Sequence, residues 1–484
     1  MTLNGCLTTL SALVLWGAVQ AQAPMKRSIG EMTVRTGSPR IPVVLVEFSN
    51  LQFSEADAAT AFASRLTGQA TTEQVEALQG TAEQYFADQS AGRFTPQFEV
   101  IGPVRLAHEY GYYGADGQVK DERMGELMVD AIAGCGVSDW SRYDADLDGV
   151  VDALYLIYAG EGQHAKPDQS SLIWPHTSTL AERGIDSPEC GGYTFNSYSC
   201  TNELLYGQVD GIGTFIHEFL HQVGLPDFYR TDGVVPAELA MGEWSIMDRG
   251  GYAEGGKRPV GLRALEKAYL GWMEPIELTA ATTVSDWPST TAGGNALKVV
   301  NKTSSLEYYL LETIDGRGWD MSCPAQGMLV THVYYNAVAW NNNTLNNASP
   351  FRVQIIPADN DKPYLITGQN DELYAESLKG DTYPSPTGNN ELTDTSTPAS
   401  TVQVGLSGLM KKPITNIAYQ TEEGRISFDF MGGSTENVLT SAPQVCRTLP
   451  QAGYYTLGGI RLDAPLKGQP CLKVEAGAVR VVWQ

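Results

Sequence analysis

The feature that most constrains this chain is the stretch Phe215-Ile-His217-Glu218-Phe-Leu-His221-Gln-Val-Gly224-Leu-Pro-Asp227. Ile212, Phe215, Ile216, Phe219, Leu220 and Val223 recur at helical spacing, so the segment reads as a helix with one apolar face against a core. His217 and His221 then share the flank, with Cβ atoms roughly 5–6 Å apart. Both imidazoles can reach one zinc ion at roughly 2.0–2.1 Å. Gly224 can take the left-handed conformation that ends the helix, and the chain must turn before Pro226. That reversal is able to return the Asp227 carboxylate to the same ion. Glu218 lies beside the metal without ligating it, and its longer arm, compared with Asp, reaches a metal-bound water as a general base. The bland alternative, two histidines satisfied by core hydrogen bonds, is weak, because two of only six histidines fall at this spacing.

The rest of the chain supplies a setting for that helix. Ile41–Phe48 reads as a buried strand, 54–67 and 72–88 as helices with Ser54 and Thr72 as N-caps, and 121–133 as another helix. Ala153–Tyr158 is a short apolar run of the interior-strand type, and a helix is expected near 258–271. From about 277 the pattern changes to short alternating segments such as Tyr308–Glu312 and Met328–Val333, divided by Asn, Gly, Pro and Thr clusters. The expectation is an α/β (α+β) catalytic domain over 41–276, a β-rich domain over 277–432, and a linker with a small β module over 433–484.

Residues 1–23 have the form of an export signal, an apolar run leading into small residues around Ala21 and Ala23, followed by a short extension, 24–40. The extension is too short for a large inhibitory propeptide and has no cysteine to cap a metal. Removing the signal leaves six cysteines, at 135, 190, 200, 323, 446 and 471, which suits an oxidising compartment and structural disulfides, Cys190 and Cys200 lying closest. A net charge of −24 argues against nucleic acid as a partner. No later stretch is apolar enough to span a membrane, so the mature chain is expected to be secreted or held at the cell surface.

Asp144, Asp146, Asp148 and Asp152 surround Gly149 in an Asp-x-Asp-x-Asp-Gly pattern, which places hard oxygen ligands at alternate positions and suggests calcium. Tyr155 stands where an EF-hand has its bidentate glutamate, so the pattern is incomplete, and solvated turn acids are the competing reading.

The continuation through Gly224 to Asp227 resembles the metzincin arrangement with aspartate in place of the usual histidine, and Trp244-Ser-Ile-Met247 resembles a Met-turn. Together with Asp144–Asp152 and Tyr85–Phe94, these segments resemble the immune inhibitor A family of secreted bacterial zinc metallopeptidases over about 40–432. The resemblance implies a metzincin-like catalytic domain with a β-rich module after it, endopeptidase action on proteins or peptides outside the cell, catalytic Zn2+ and structural Ca2+. It assigns His217 and His221 to zinc, Glu218 to the base and Asp227 to the third ligand. Glu312, in a Tyr-Tyr-Leu-Leu-Glu strand, is the competing third carboxylate, and Glu243 a remoter one. The last forty residues loosely resemble C-terminal sorting domains of Bacteroidetes exported proteins, which would make export machinery a partner. From a different class, a calcium-stabilised surface adhesin with a non-catalytic metal site is the alternative function.

Overall fold

The computed structural model describes residues 32–440 except 77–78, 118, 233–239 and 363–370, together with the backbone of short strands between 453 and 483. The expected export signal and most of the extension after it lie outside the described residues. The N-terminal half is built on a mixed sheet whose strands run in the order Gln97–Arg105, Arg40–Glu47, Tyr155–Glu161, Ser197–Leu205 and His176–Thr179, with Gln208–Val209 pairing at the side. The first four are parallel, and His176–Thr179 runs antiparallel at the edge.

The parallel strands have both faces covered, which is why Ile41–Val46 is continuously apolar rather than alternating. Val43, Leu45, Tyr155 and Ile157 face the layer that holds the helix Gly213–Gln222. Val44, Val46, Leu156 and Tyr158 face the opposite layer, against the helix Met124–Gly134. Phe219 fixes the first helix, its ring lying 5.3 Å from Phe86 and 5.2 Å from Phe98. Full burial of such a ring contributes about 1.5–3 kcal/mol, enough to hold the helix at one rotation about its axis.

The second half is β-rich, as the alternating segments implied. A five-stranded sheet runs Val353–Ile355, Gly327–Tyr334, Ser304–Ile314, Leu297–Asn301, Ile276–Glu277. A four-stranded one runs Ile414–Gln420, Arg425–Phe430, Thr282–Pro288, Val438–Thr440. Tyr309, Leu311 and Val330 point from the larger sheet into a core with Ile426 and Phe428 of the smaller. Leu310, Val333 and Val353 point the other way, into the core that contains Phe215 and Phe219. The larger sheet is therefore packed on both faces, and apolar contact is continuous across residue 276. The terminal segment forms its own four-stranded sheet from Gly453–Tyr455, Arg461–Leu462, Pro470–Glu475 and Ala478–Trp483.

Three local expectations are corrected. The helix expected over 72–88 is split into Thr72–Glu76 and Ala82–Gln89, the second capped by Thr81. Gly80 packs so closely on Trp319 that an added Cβ would fall 2.2 Å from the ring. The cap of Ala58–Leu66 is Asp57, not Ser54. Cys190 and Cys200 form no disulfide, nor do Cys135 and Cys323. Cys190 sits in a two-residue hairpin with Tyr193–Thr194, whereas Cys200 is buried within a central strand, its Sγ 3.6 Å from His176 Nδ1.

Candidate metal centre

The helix Gly213–Gln222 and the reversal after it place three donor atoms together. Gly224 adopts φ 98°. Leu225 N–H donates to Leu220 O at 3.0 Å, the six-to-one bond that closes a glycine-terminated helix. The returning chain delivers Leu225 O to His221 Nδ1 at 2.7 Å, and two residues on it delivers Asp227. Asp227 Oδ1 lies 3.2 Å from His217 Nε2 and 3.2 Å from His221 Nε2.

His217 is oriented from a different element. Gly213 packs on the backbone of the loop after Met247, where an added Cβ would stand 1.8 Å from Gly251 O. This close approach brings Ile246 O within 2.7 Å of His217 Nδ1. Met247 itself is fully buried, and its carbonyl accepts from Phe228 N–H at 2.7 Å. Asp248 holds the loop by accepting from Met241 N–H at 3.0 Å and Gly242 N–H at 2.7 Å. With each Nδ1 engaged by a carbonyl acceptor, the proton of either neutral ring belongs on Nδ1, and each Nε2 lone pair is free to bind.

The donor set fits a small divalent ion. Tetrahedral bonds of about 2.0–2.1 Å space the ligands about 3.3–3.4 Å apart, and the observed imidazole–carboxylate separations are 3.2 Å. Asp227 Oδ1 is buried and has no hydrogen-bond partner, a costly state unless a proton or cation is shared there. Burial opposes charge on the two sites, but the imidazoles outweigh it and hold the Asp227 carboxyl well below the usual range. In the same metal-free state burial lowers the His217 pKa, and Asp227 with Glu218 outweighs it, pushing the ring up to about 9.

Glu218 is buried, its carboxylate within 4.8 Å of both ring nitrogens. Burial raises its pKa against the pull of His221 and His217. Thr177, on the antiparallel edge strand, donates to Glu218 Oε2 at 2.9 Å. Both Glu218 and His217 open onto a cleft of about 270 Å3 walled by His164, Trp174, Tyr229 and Tyr252. The sequence reading did not single out Thr177, Tyr229 or His164. Tyr229 is near the motif in sequence, and His164 is one of only six histidines, whereas nothing local marks Thr177.

The competing carboxylates are elsewhere. Glu312 is corrected as an alternative ligand: it accepts from Ala264 N–H at 3.3 Å and faces Arg263 at 3.9 Å, where it offsets a buried guanidinium. Glu243 is paired with Arg249 at 2.9 Å. His176 is satisfied by Trp174 O and Tyr198 OH, and His332 by Glu307. In the acidic loop, Asp144, Asp146 and Asp152 bring carboxylate oxygens within 4.8 Å of one another, but Asp148 is not part of that group. It accepts from Val150 N–H at 2.8 Å instead.

A helix-borne histidine pair with an adjoining buried glutamate and a returning aspartate is a donor arrangement able to hold a divalent ion beside a carboxylate base. Residues 60–273 match the family described as immune inhibitor A peptidase M6, catalytic domain. Over that segment the chain is similar to the immune inhibitor A peptidases, in agreement with the motifs. It is 27% identical to "Immune inhibitor A" of Bacillus thuringiensis subsp. alesti, over 36% of this chain and 29% of that protein. It is likewise 27% identical to "Pre-pro-metalloprotease PrtV" of Vibrio cholerae serotype O1, over 39% of this chain and 23% of that protein. The matched region thus spans less than a third of the length of these curated relatives. Among the described residues no helix is long and apolar enough to cross a membrane.

Proposed function

We propose that the chain is a secreted zinc-dependent endopeptidase, with His217, His221 and Asp227 holding the metal and Glu218 serving as general base. The observation that carries this reading is the unpartnered Asp227 Oδ1 facing two Nε2 atoms whose rings are each fixed by a backbone carbonyl. Bound zinc supplies Lewis acidity, which polarises the scissile carbonyl and lowers the pKa of a water. Glu218 takes a proton from that water and passes it to the departing amine. Thr177 orients the Glu218 carboxylate, and the cleft walls line the space for a bound peptide segment.

Protein or peptide substrates follow from this chemistry. Secretion rests on the export-type residues 1–23, and a role for export machinery rests on the resemblance of the tail to sorting domains. Calcium at Asp144, Asp146 and Asp152, with Asp148 ordering the loop, is a further part of the proposal, supported by the convergence of three carboxylates. The test is casein hydrolysis by purified protein, with metal content measured in parallel. Activity should disappear with a zinc chelator, return with added zinc, and be absent in Glu218→Ala. A wild-type protein that carries stoichiometric zinc and cleaves nothing would instead favour a binding module with a retired site.

A further inference from the structure

The loop that carries Asp227 is gripped by a segment lying far along the chain, after the strand Gly327–Tyr334. The short helix Ala337–Asn341 begins that segment, and residues 342–347 follow it across the loop. Trp340 Nε1 donates to Gly224 O at 3.0 Å, and Asn346 Nδ2 to Phe228 O at 2.7 Å. Thr231 Oγ1 donates to Asn343 O at 2.7 Å. Between these anchors the Asn343 side chain meets Asp227 twice. Its Oδ1 accepts from Asp227 N–H at 2.7 Å, and its Nδ2 donates to Asp227 Oδ2 at 2.6 Å.

The two contacts fix the amide orientation, because only one flip gives the backbone N–H an acceptor and the carboxylate a donor. Asn343 has φ 53°, a left-handed conformation that asparagine tolerates better than most residues. Loop anchoring does not require this side chain, since Trp340 and Asn346 already hold the backbone on either side of Asp227. What the amide adds is control of the carboxylate. An aspartate side chain rotates broadly about its last bond. With Oδ2 occupied by Asn343, only Oδ1 is presented to the imidazoles.

We infer that Asn343, from the β-rich half, is the positioning residue that makes Asp227 a single-oxygen metal ligand, so the centre is completed from outside residues 60–273. This rests on the metal-centre reading above. The test uses the full chain, with zinc affinity from chelator competition and the visible spectrum of the Co2+-substituted protein as readouts. Asn343→Gly keeps the backbone conformation and removes only the amide. It should weaken zinc binding about 10–100-fold, the usual scale for groups that orient a ligand, and alter the Co2+ spectrum. Asn343→Ser, too short to span both Asp227 groups, should do the same and serves if the glycine variant folds poorly. Thr231→Val removes a loop anchor without touching the carboxylate and should leave zinc affinity within twofold. An Asn343→Gly affinity within twofold of wild type, or an equal loss in Thr231→Val, overturns the inference. Wild-type protein that binds no zinc, or binds it equally after His217→Ala, sinks the metal centre and this inference with it.

Discussion

The two carboxylate clusters differ in what their oxygens already hold. In the loop 144–152 the acids are largely satisfied by their own backbone: Asp144 accepts from Asp148 N–H and Gly149 N–H, and Asp152 from Ala145 N–H. Asp146 accepts from Thr33 Oγ1. At the histidine pair, one oxygen of a buried carboxylate has no donor other than the two imidazole nitrogens 3.2 Å away. A satisfied turn keeps its shape without an ion, whereas a buried unpartnered oxygen beside two imidazoles is stable only with a proton or a cation between them. The difference separates a site that tolerates a cation from one that needs an occupant.

The sharpest way to break the comparison is at Glu218. Glu218→Gln should lower peptide hydrolysis about 10²–10⁴-fold, the contribution of a general base, while metal content by mass spectrometry stays at the wild-type level. Loss of metal in that variant would make Glu218 a ligand instead. Asp227→Ala should remove stoichiometric zinc, whereas Glu312→Gln should retain it and lose about 3 kcal/mol in urea denaturation, because the buried Arg263 loses part of its counter-charge. Retention of zinc by Asp227→Ala would erase the distinction between the clusters.

The next prediction concerns pH. In metal-free protein the His217 pKa is raised from 6.5 to about 9. The protonated ring paired with Asp227 therefore adds stability that is fully present below pH 6.5 and lost as pH rises through 9. That shift corresponds to on the order of 3 kcal/mol. Zinc binding must displace the same proton, so affinity should rise across this window, as titrations at several pH values can show. A metal-free stability that is flat from pH 6.5 to 9 would contradict the shared-proton account.

The smallest effect is expected at the acidic loop. Burial, then the neighbouring Asp146, Asp144 and Asp148, pushes the Asp152 pKa up to about 6, so its ionised form is disfavoured in the fold. Ca2+ at a hundred times its Kd should raise stability by about 2.7 kcal/mol, read as a melting shift that vanishes in Asp152→Asn. A shift that persists in that variant places the cation elsewhere.

The histidine pair and Glu218 were legible in the sequence because helical spacing is a local rule, and the strand runs were legible because buried parallel strands are continuously apolar. Asp227 was reachable from Gly224 and Pro226, although three carboxylates remained in contention. What separated them was non-local: Glu312 answers Arg263, and that pairing has no signature in either segment. Thr177 and Asn343 come to the site from 41 and 116 residues away, Asn343 from an asparagine-rich loop without periodicity. The even cysteine count misled, since parity carries no information on distance, and the four described thiols lie unpaired.

The turn after the helix has a consequence for tolerance to error. Leu225 O steers one ring and Asp227 approaches both, and the two belong to a single short reversal pinned by Gly224. Any shift of that reversal moves the His221 ring and the carboxylate in concert, so their mutual spacing survives small distortions that would scatter independently mounted groups. The same coupling concentrates vulnerability: one inserted or deleted residue between Gly224 and Asp227 would displace two of the three donors at once.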